Sequence, residues 1–388
     1  MSVRQRVIFY YPRHFNRSAQ GTNPYFDPLI AVCERKGIPY RLLEEPDNCT
    51  DKPRNPKAES AVWFLYFVLA CRKLLPLRLW KSFDRRERFI GKWLGLVTCG
   101  RWHAAIYITI SNSMIEVLAG LNPGGRVYDM QHGVIHSTHS GYFNPDKTLL
   151  ERFRNTQIHQ LVYGEGYARC FRPEADSGGL SFLGNRVHVI GDVLNAGALS
   201  SRVSGKTDSR RSVVVSLQFV RGWSPKQQDD LITLLVNLLR EIAVADPHMK
   251  YRVLLKHHPR FNNVVDLSHI VTRFPFAEIT TKALSDLALE ACWHVTLHST
   301  TAFEFAAYGV PTFFWVTREF PEVEALFINE YGYPSQPTGI AEALRMTEQE
   351  PEKYSAVCRD VKAWHDLFYS PFDEMVAMEI LAPDVDKV

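Results

Sequence analysis

What most constrains this chain is an alternation that runs through most of it. Short apolar runs, rich in β-branched and aromatic residues, are each followed by a longer stretch with apolar residues at helical spacing. Segments 7–11, 38–43, 104–110 and 126–130 have the length and make-up of strands. Between the first two, Phe26, Leu29, Ile30 and Cys33 recur at helical spacing over 24–36, and Gly37 reads as the helix stop. A second series opens near residue 212, with strands at 213–217, 251–255, 294–297 and 312–316. In that series Ser224 reads as an N-cap with Pro225 in the first helical position, opening a helix to about residue 244. Strands that alternate with helices build parallel sheets covered on both faces, so the fold class is α/β. The length of 388 residues suits two domains with doubly wound sheets better than one barrel. The polar stretch SSRVSGKTDSRR over 200–211 reads as the connection. This predicts an N-terminal domain over 1–195, a linker over 196–211 and a C-terminal domain over 212–388 that includes the closing helices, with 59–99 as an insertion in the first domain.

Charge and cysteine usage remove several function classes. Forty-five Lys and Arg against 42 Asp and Glu leave a net charge of +3, too small to mark a nucleic-acid binder. Seven cysteines without C-x-x-C spacing suit reduced thiols in a cytoplasmic protein better than disulfides or a zinc ribbon. No uncharged apolar run approaches the roughly 18 residues of a membrane span, and the first apolar run is too short for a signal peptide.

Three segments carry groups capable of chemistry. In VTLHSTTAFEFAAYGVP, 295–311, a strand ends at Leu297, a polar turn holds His298, Ser299, Thr300 and Thr301, and a helix follows through Glu304 to Tyr308. Parallel sheets bind ligands beyond the carboxyl ends of their strands. A helix start there suits phosphate, and a carboxylate such as Glu304 can accept two ribose hydroxyls. The bland alternative is an ordinary N-cap with a dipole-stabilising Glu. In LLKHHPR, 254–260, Pro259 ends a strand and leaves Lys256, His257, His258 and Arg260 near its carboxyl end, as a diphosphate site or as a plain basic loop. In VYDMQHGVIHSTHSGY, 127–142, a strand delivers His132 to its carboxyl end beside Gly133. His132 suits a general base, because histidine titrates near working pH. The spacing of His132, His136 and His139 admits zinc, but Gly133 and Ser140-Gly141 interrupt any regular helix, so no metal is expected. Weaker candidates are Glu165 in LVYGEGYARCF, 161–171, and the strand end at Gly191-Asp192. No G-x-G-x-x-G or Walker sequence supports a dinucleotide or ATP site.

Together these motifs resemble glycosyltransferases of the two-Rossmann type, GT-B. Thr301, Glu304, Gly309 and Pro311 match the donor-binding pattern S/T-x-x-E-x4-G-x-P. Lys256, His258 and Pro259 match the K-x-H-P of bacterial sialyl- and polysialyltransferases and of CDP-glycerol glycerophosphotransferases. Gln131-His132-Gly133 is similar to the His-Gly of glycerophosphotransferases and capsule-polysaccharide transferases. The sialyltransferase pattern of two adjacent acids and Gly is not matched, since Glu165 follows Gly164.

The resemblance implies two domains facing each other across a cleft. The second would bind a nucleotide-sugar donor through Lys256, His258, Arg260, His298, Ser299, Thr300, Thr301 and Glu304. The first would present a glycan or lipid-linked acceptor near Gln131, Gly133, His136, His139 and Tyr142. Catalysis would fall to His132 or, as other bases, Asp129 and Glu165, with His258 meeting leaving-group charge. The reaction would need neither metal nor cofactor, and would serve cell-surface polysaccharide synthesis (capsule, lipopolysaccharide or teichoic-type) at the cytoplasmic side of the membrane. A nucleotide-sugar 2-epimerase, a CDP-polyol phosphotransferase and a non-catalytic scaffold are the competing readings.

The insertion remains two-sided. Eleven uncharged, mostly bulky residues, AVWFLYFVLAC, precede a stretch over 72–92 with eight Lys and Arg against Asp84 and Glu87. This pattern fits either a contact with an anionic membrane surface or two helices buried on the first sheet.

Overall fold

The computed structural model describes residues 6–18, 20–48, 51–172, 184–195, 211–219, 224–258, 265–315, 324–334 and 337–383. The first sheet has strands β1 (Val7–Pro12), β2 (Tyr40–Glu45), β3 (Glu59–Ser60), β4 (Ile106–Ile110), β5 (Arg126–Met130), β6 (Ile158–Val162) and β7 (Val187–Val189). Their order is β3-β2-β1-β4-β5-β6-β7 and every pairing is parallel. The second sheet has β8 (Ser212–Leu217), β9 (Arg252–His257), β10 (Ala277–Ile279), β11 (Ala291–Thr296) and β12 (Thr312–Phe314), in the order β10-β9-β8-β11-β12 and again parallel. Both orders run outward from a central pair, β1/β4 in one sheet and β8/β11 in the other, which is the Rossmann-like arrangement. The central strands are buried along their length, as parallel strands covered on both faces must be: Val7–Tyr11, all of β4, and Val213–Val215.

The helices are α1 (Asp27–Lys36), α2 (Val62–Leu74), α3 (Phe83–Val97), α4 (Ile115–Leu121), α5 (Glu165–Phe171) and α6 (Pro225–Ala245). After them come α7 (Ser268–Arg273), α8 (Leu284–Glu290), α9 (Thr301–Ala306), α10 (Ile340–Gln349), α11 (Pro351–Phe368) and α12 (Glu374–Leu381). Helix α1 stops where Gly37 takes a left-handed φ of 63°. Helix α6 starts at a capping box, with Ser224 and Gln227 satisfying each other's backbone N–H. Helix α9 is shorter than the sequence suggests: it ends at Ala306, and the chain turns through 307–309.

Contacts divide the chain into two units, Met1–Leu199 with Phe368–Val388, and Ser200–Leu367. This corrects the expected assignment of all of 212–388 to the second domain. Backbone hydrogen bonds give the reason: Asp192 N–H donates to Ser370 O at 2.8 Å, Asp373 N–H to Ile190 O at 2.9 Å, and Ser370 N–H to Tyr163 O at 3.0 Å. Gly191, with φ 84°, permits the crossing; a Cβ there would stand 2.1 Å from Pro371 O.

Candidate active site

In the second unit the candidate residues gather where β8, β9 and β11 end, at the switch point of the sheet. Lys256 of β9 is in register with Ser216 of β8, and Ser216 with Thr296 of β11. With strands about 4.8 Å apart, the residues that leave β9 and β11 lie about 10 Å from one another. Gln218, just past β8, pins the turn that follows β11. Its Oε1 accepts from His298 N–H at 2.8 Å and from the Thr296 hydroxyl at 3.4 Å. Gln218 was missed from the sequence, although a polar residue directly after an apolar strand was the signal. Ser299 Oγ accepts from Thr301 N–H at 3.3 Å and holds the first turn of α9. His298, Ser299 and Thr301 are half-buried, and Thr300 and Glu304 are exposed.

Beneath this turn His294 is fully buried and stacks on Phe305 at 4.1 Å. Its Nδ1 pairs with the Thr312 hydroxyl at 3.0 Å, and its Nε2 faces Ser216 Oγ at 2.8 Å and Thr301 Oγ1 at 3.4 Å. Burial pushes its pKa down to about 3, so the ring is neutral and anchors the Thr301 hydroxyl from below. Nothing in the sequence set this histidine apart, because it lies inside the apolar strand β11.

Lys256 Nζ donates to Lys282 O at 2.7 Å. His257 turns inward toward the Phe219 ring, 6.3 Å away, and burial lowers its pKa. Its Nδ1 is buried without a hydrogen-bond partner among the described residues. His258 is exposed. Arg260 lies outside the described residues.

In the first unit, the motif 129–142 splits into buried supports and one residue with a spare nitrogen. Gln131 is fully buried; its Nε2 donates to Gly133 O at 2.7 Å and its Oε1 accepts from Tyr163 N–H at 2.9 Å. It fixes the turn that presents His132. The His132 ring meets Phe15 edge-on at 5.6 Å, and its carbonyl accepts from Tyr25 OH at 3.3 Å. Its Nδ1 is buried without a partner among the described residues. Burial first, then the charges of His139, Arg17 and His14, lower its pKa, so the ring is neutral at neutral pH. His139 accepts from Gly141 N–H at 3.1 Å, with its ring 5.5 Å from His136 and 5.0 Å from Tyr142; His136 pairs with the Thr138 hydroxyl at 2.9 Å. Among the described residues no group of three or more His, Cys, Asp or Glu is placed to hold a metal ion.

Three of the expected contacts with substrate are corrected by burial. Asp129, Gln131 and Tyr142 are almost wholly out of solvent. Asp129 accepts from Asn112 N–H at 2.8 Å and from Tyr142 OH at 3.4 Å, which ties the turn after β4 to the loop that follows His132. Both residues therefore shape the site from within, and Asp129 is not placed to take a proton from a substrate. Glu165 is partly exposed at the start of α5 and pairs with Arg172 at 3.0 Å.

The burial of Asp129 has a measurable consequence. Desolvation raises its pKa from 3.8 to about 7. Between these values the folded state holds a proton that the unfolded state has lost, so this group's contribution falls as pH rises through the window. Asp129→Asn, which does not titrate, removes that fall. Wild type should lose roughly 2 kcal/mol relative to Asp129→Asn between about pH 5 and pH 8, read from urea midpoints. A constant difference between the two proteins would show that Asp129 is ionised throughout.

No protein-family model matches the chain, and no curated protein matches it in sequence. Solved structures match it in fold. The wall teichoic acid polymerase TagF, in a variant soaked with CDPG, resembles it with a TM-score of 0.52 at 14% identity, over 99% of this chain and 90% of the other. UDP-GlcNAc 2-epimerase from Neisseria meningitidis, bound to UDP-GlcNAc, resembles it with a TM-score of 0.54 at 12% identity, over 97% of this chain and all of the other. The chain therefore has the GT-B fold, two Rossmann-like units each built on a parallel sheet.

Proposed function

We propose that the protein is a glycosyltransferase that moves a sugar from a nucleotide-activated donor to a hydroxyl of a glycan or lipid-linked acceptor in cell-surface polysaccharide synthesis. The observation that carries this reading is that Lys256 and His258 at the end of β9, and the His298–Thr301 turn after β11, flank the end of β8 at the β8/β11 switch point. Lys256 and His258 would meet the charge that develops on the departing phosphate, and Glu304 would hold the ribose hydroxyls. In the first unit His132, half-buried at the turn and kept neutral by burial, would take the acceptor proton on the ring edge that faces solvent. The protein cations would stand where a metal ion stands in other transferases. A nucleotide-activated donor would put the reaction at the cytoplasmic side of the membrane.

A second reading, transfer of a polyol phosphate from a CDP-polyol, is favoured by the joint presence of Gln131-His132-Gly133 and Lys256-x-His258-Pro259 and by the TagF likeness. An epimerase reading has the N. meningitidis likeness behind it.

One experiment separates the three. The purified protein is screened by thermal shift with UDP, GDP, CDP and CMP, then incubated with the matching donors with and without membrane-extracted acceptor. A nucleotide at a hundred times its Kd stabilises by about 2.7 kcal/mol. Nucleotide release that requires acceptor, with no donor phosphorus in the product, supports sugar transfer. Phosphorus in the product assigns polyol-phosphate transfer, and isomerised donor without acceptor assigns the epimerase. No shift with any nucleotide would leave a non-catalytic scaffold.

A further inference from the structure

Helices α2 and α3 form the insertion, and each has an inner and an outer face. The inner stripe is Phe64, Val68 and Cys71 on α2, with Ile90 and Leu94 on α3. It cannot roll outward: on α2 Phe64 packs on Tyr10 at 5.2 Å and on Trp102 at 5.4 Å, and α3 crosses α4 at backbone contact. A Cβ on Gly91 would stand 2.1 Å from Val117 O, and one on Gly120 would stand 2.2 Å from Arg88 O. The outer face is thereby fixed toward solvent. There Trp63 is 78% exposed, Leu74 73%, Leu79 70% and Leu96 74%, with Phe89 and Trp93 over 40%. The rings form a continuous row across both helices and their connection: Phe67–Trp93 at 6.4 Å, Trp93–Phe89 at 6.4 Å and Phe89–Trp80 at 5.0 Å. Apolar side chains held outward over such a length mark a surface that meets something.

The charges on this face decide what it meets. Of the eight cations, Arg72 and Arg86 are taken up by Glu87, Arg88 by Glu116, and Arg85 stands 3.9 Å from Glu151. Lys73, Arg78, Lys81 and Lys92 are exposed and form no ion pair among the described residues. The two acids of the segment are spent, Asp84 near Arg152 at 3.8 Å and Glu87 buried under its arginines. The outer face of α2 and α3 thus carries aromatic and aliphatic groups and four cations without an ion pair among the described residues, and the two helices add no exposed acid of their own, Glu151 beside Arg85 coming from outside them. A second copy of the chain would bring like charges together across a twofold axis. Helices of 13 and 15 residues are too short to cross a bilayer, and no helix among the described residues is long and apolar enough to do so.

We infer that this face is a docking surface for an anionic lipid bilayer. The α2–α3 pair lies in the headgroup plane, with Trp and Leu inserted and the four cations against lipid phosphate. The inference stands apart from the proposed chemistry, since lipid binding is measured without donor or acceptor.

The test is flotation of the full chain with phosphatidylcholine vesicles, with and without phosphatidylglycerol, at low and high salt. The expected result is flotation with phosphatidylglycerol that weakens as salt rises. Each cation near an anionic surface is worth about a fivefold change, so Lys73→Glu, Arg78→Glu, Lys81→Glu and Lys92→Glu together should weaken binding at least a hundredfold. Trp63→Ser with Leu74→Ser and Leu96→Ser should lower binding on anionic vesicles without altering the fold, because these side chains already face solvent. Wild type that stays at the bottom of the gradient with phosphatidylglycerol at low salt would overturn the inference. So would a fourfold charge reversal that floats as well as wild type. A dimer in sedimentation without lipid, lost in the serine variant, would give the face to a second copy instead.

Discussion

His132→Ala should abolish transfer while nucleotide affinity stays within about twofold of wild type. Removing a positioned general base costs roughly 10²–10⁴ in rate. His132 belongs to the first sheet's unit, and the candidate nucleotide residues belong to the second, so calorimetric binding of the nucleotide should not register the change. The pH profile adds a sign. A base acts deprotonated, and burial keeps His132 deprotonated to a lower pH than an ordinary histidine. Activity should therefore be flat through neutrality and fall only as pH drops below the usual histidine range. Arg17, an exposed cation that further lowers His132, offers a graded test: Arg17→Gln should move the acid limb toward higher pH without removing activity. An unchanged acid limb in His132→Ala, with residual turnover, would show that another group takes the proton. Glu165 would then be next, since it is exposed enough to meet a substrate and Asp129 is not.

The fold was legible because the alternation of short apolar runs and amphipathic helices is a property of local sequence, and parallel sheets follow from it. Register and switch point follow in turn, and they bring the ends of β8, β9 and β11 together. What local sequence does not encode is which way a polar residue at a strand end points. Strand β5 is buried on both faces, so no polar alternation separates Asp129, which points into the core, from His132, which stands at the turn. The same ambiguity hid His257 behind His258 and His294 within β11. The closing segment failed for another reason: pairing of Asp192 with Pro371 is long-range, and no local pattern announces it. Segment 61–71 was apolar on every side in sequence, and only the long-range packing of Phe64 on Tyr10 and Trp102 settles which side is inner.

On the donor side, two substitutions should separate two kinds of loss. His258→Ala should act on kcat, because phosphate charge grows toward the transition state and a group that meets it is felt most there. Loss of one such donor costs about 3–4 kcal/mol, a fall of roughly 10²–10³ in kcat. Glu304→Ala should instead weaken donor binding by roughly 1.5–3 kcal/mol, with kcat little changed, because ribose hydroxyls are held alike in ground and transition states. Both residues are exposed, so neither substitution opens a cavity, and melting temperatures should match wild type. His257→Ala is the informative comparison. Its ring is half-buried against Phe219 with an unpaired Nδ1, so its loss should lower stability slightly and leave kcat near wild type. If His257→Ala proved the more damaging in kcat, the inner ring would be the one that meets the phosphate. If Glu304→Ala bound nucleotide as tightly as wild type in calorimetry, the carboxylate would have no ribose to hold, and the turn over 298–301 would have to bind the donor by its phosphates alone.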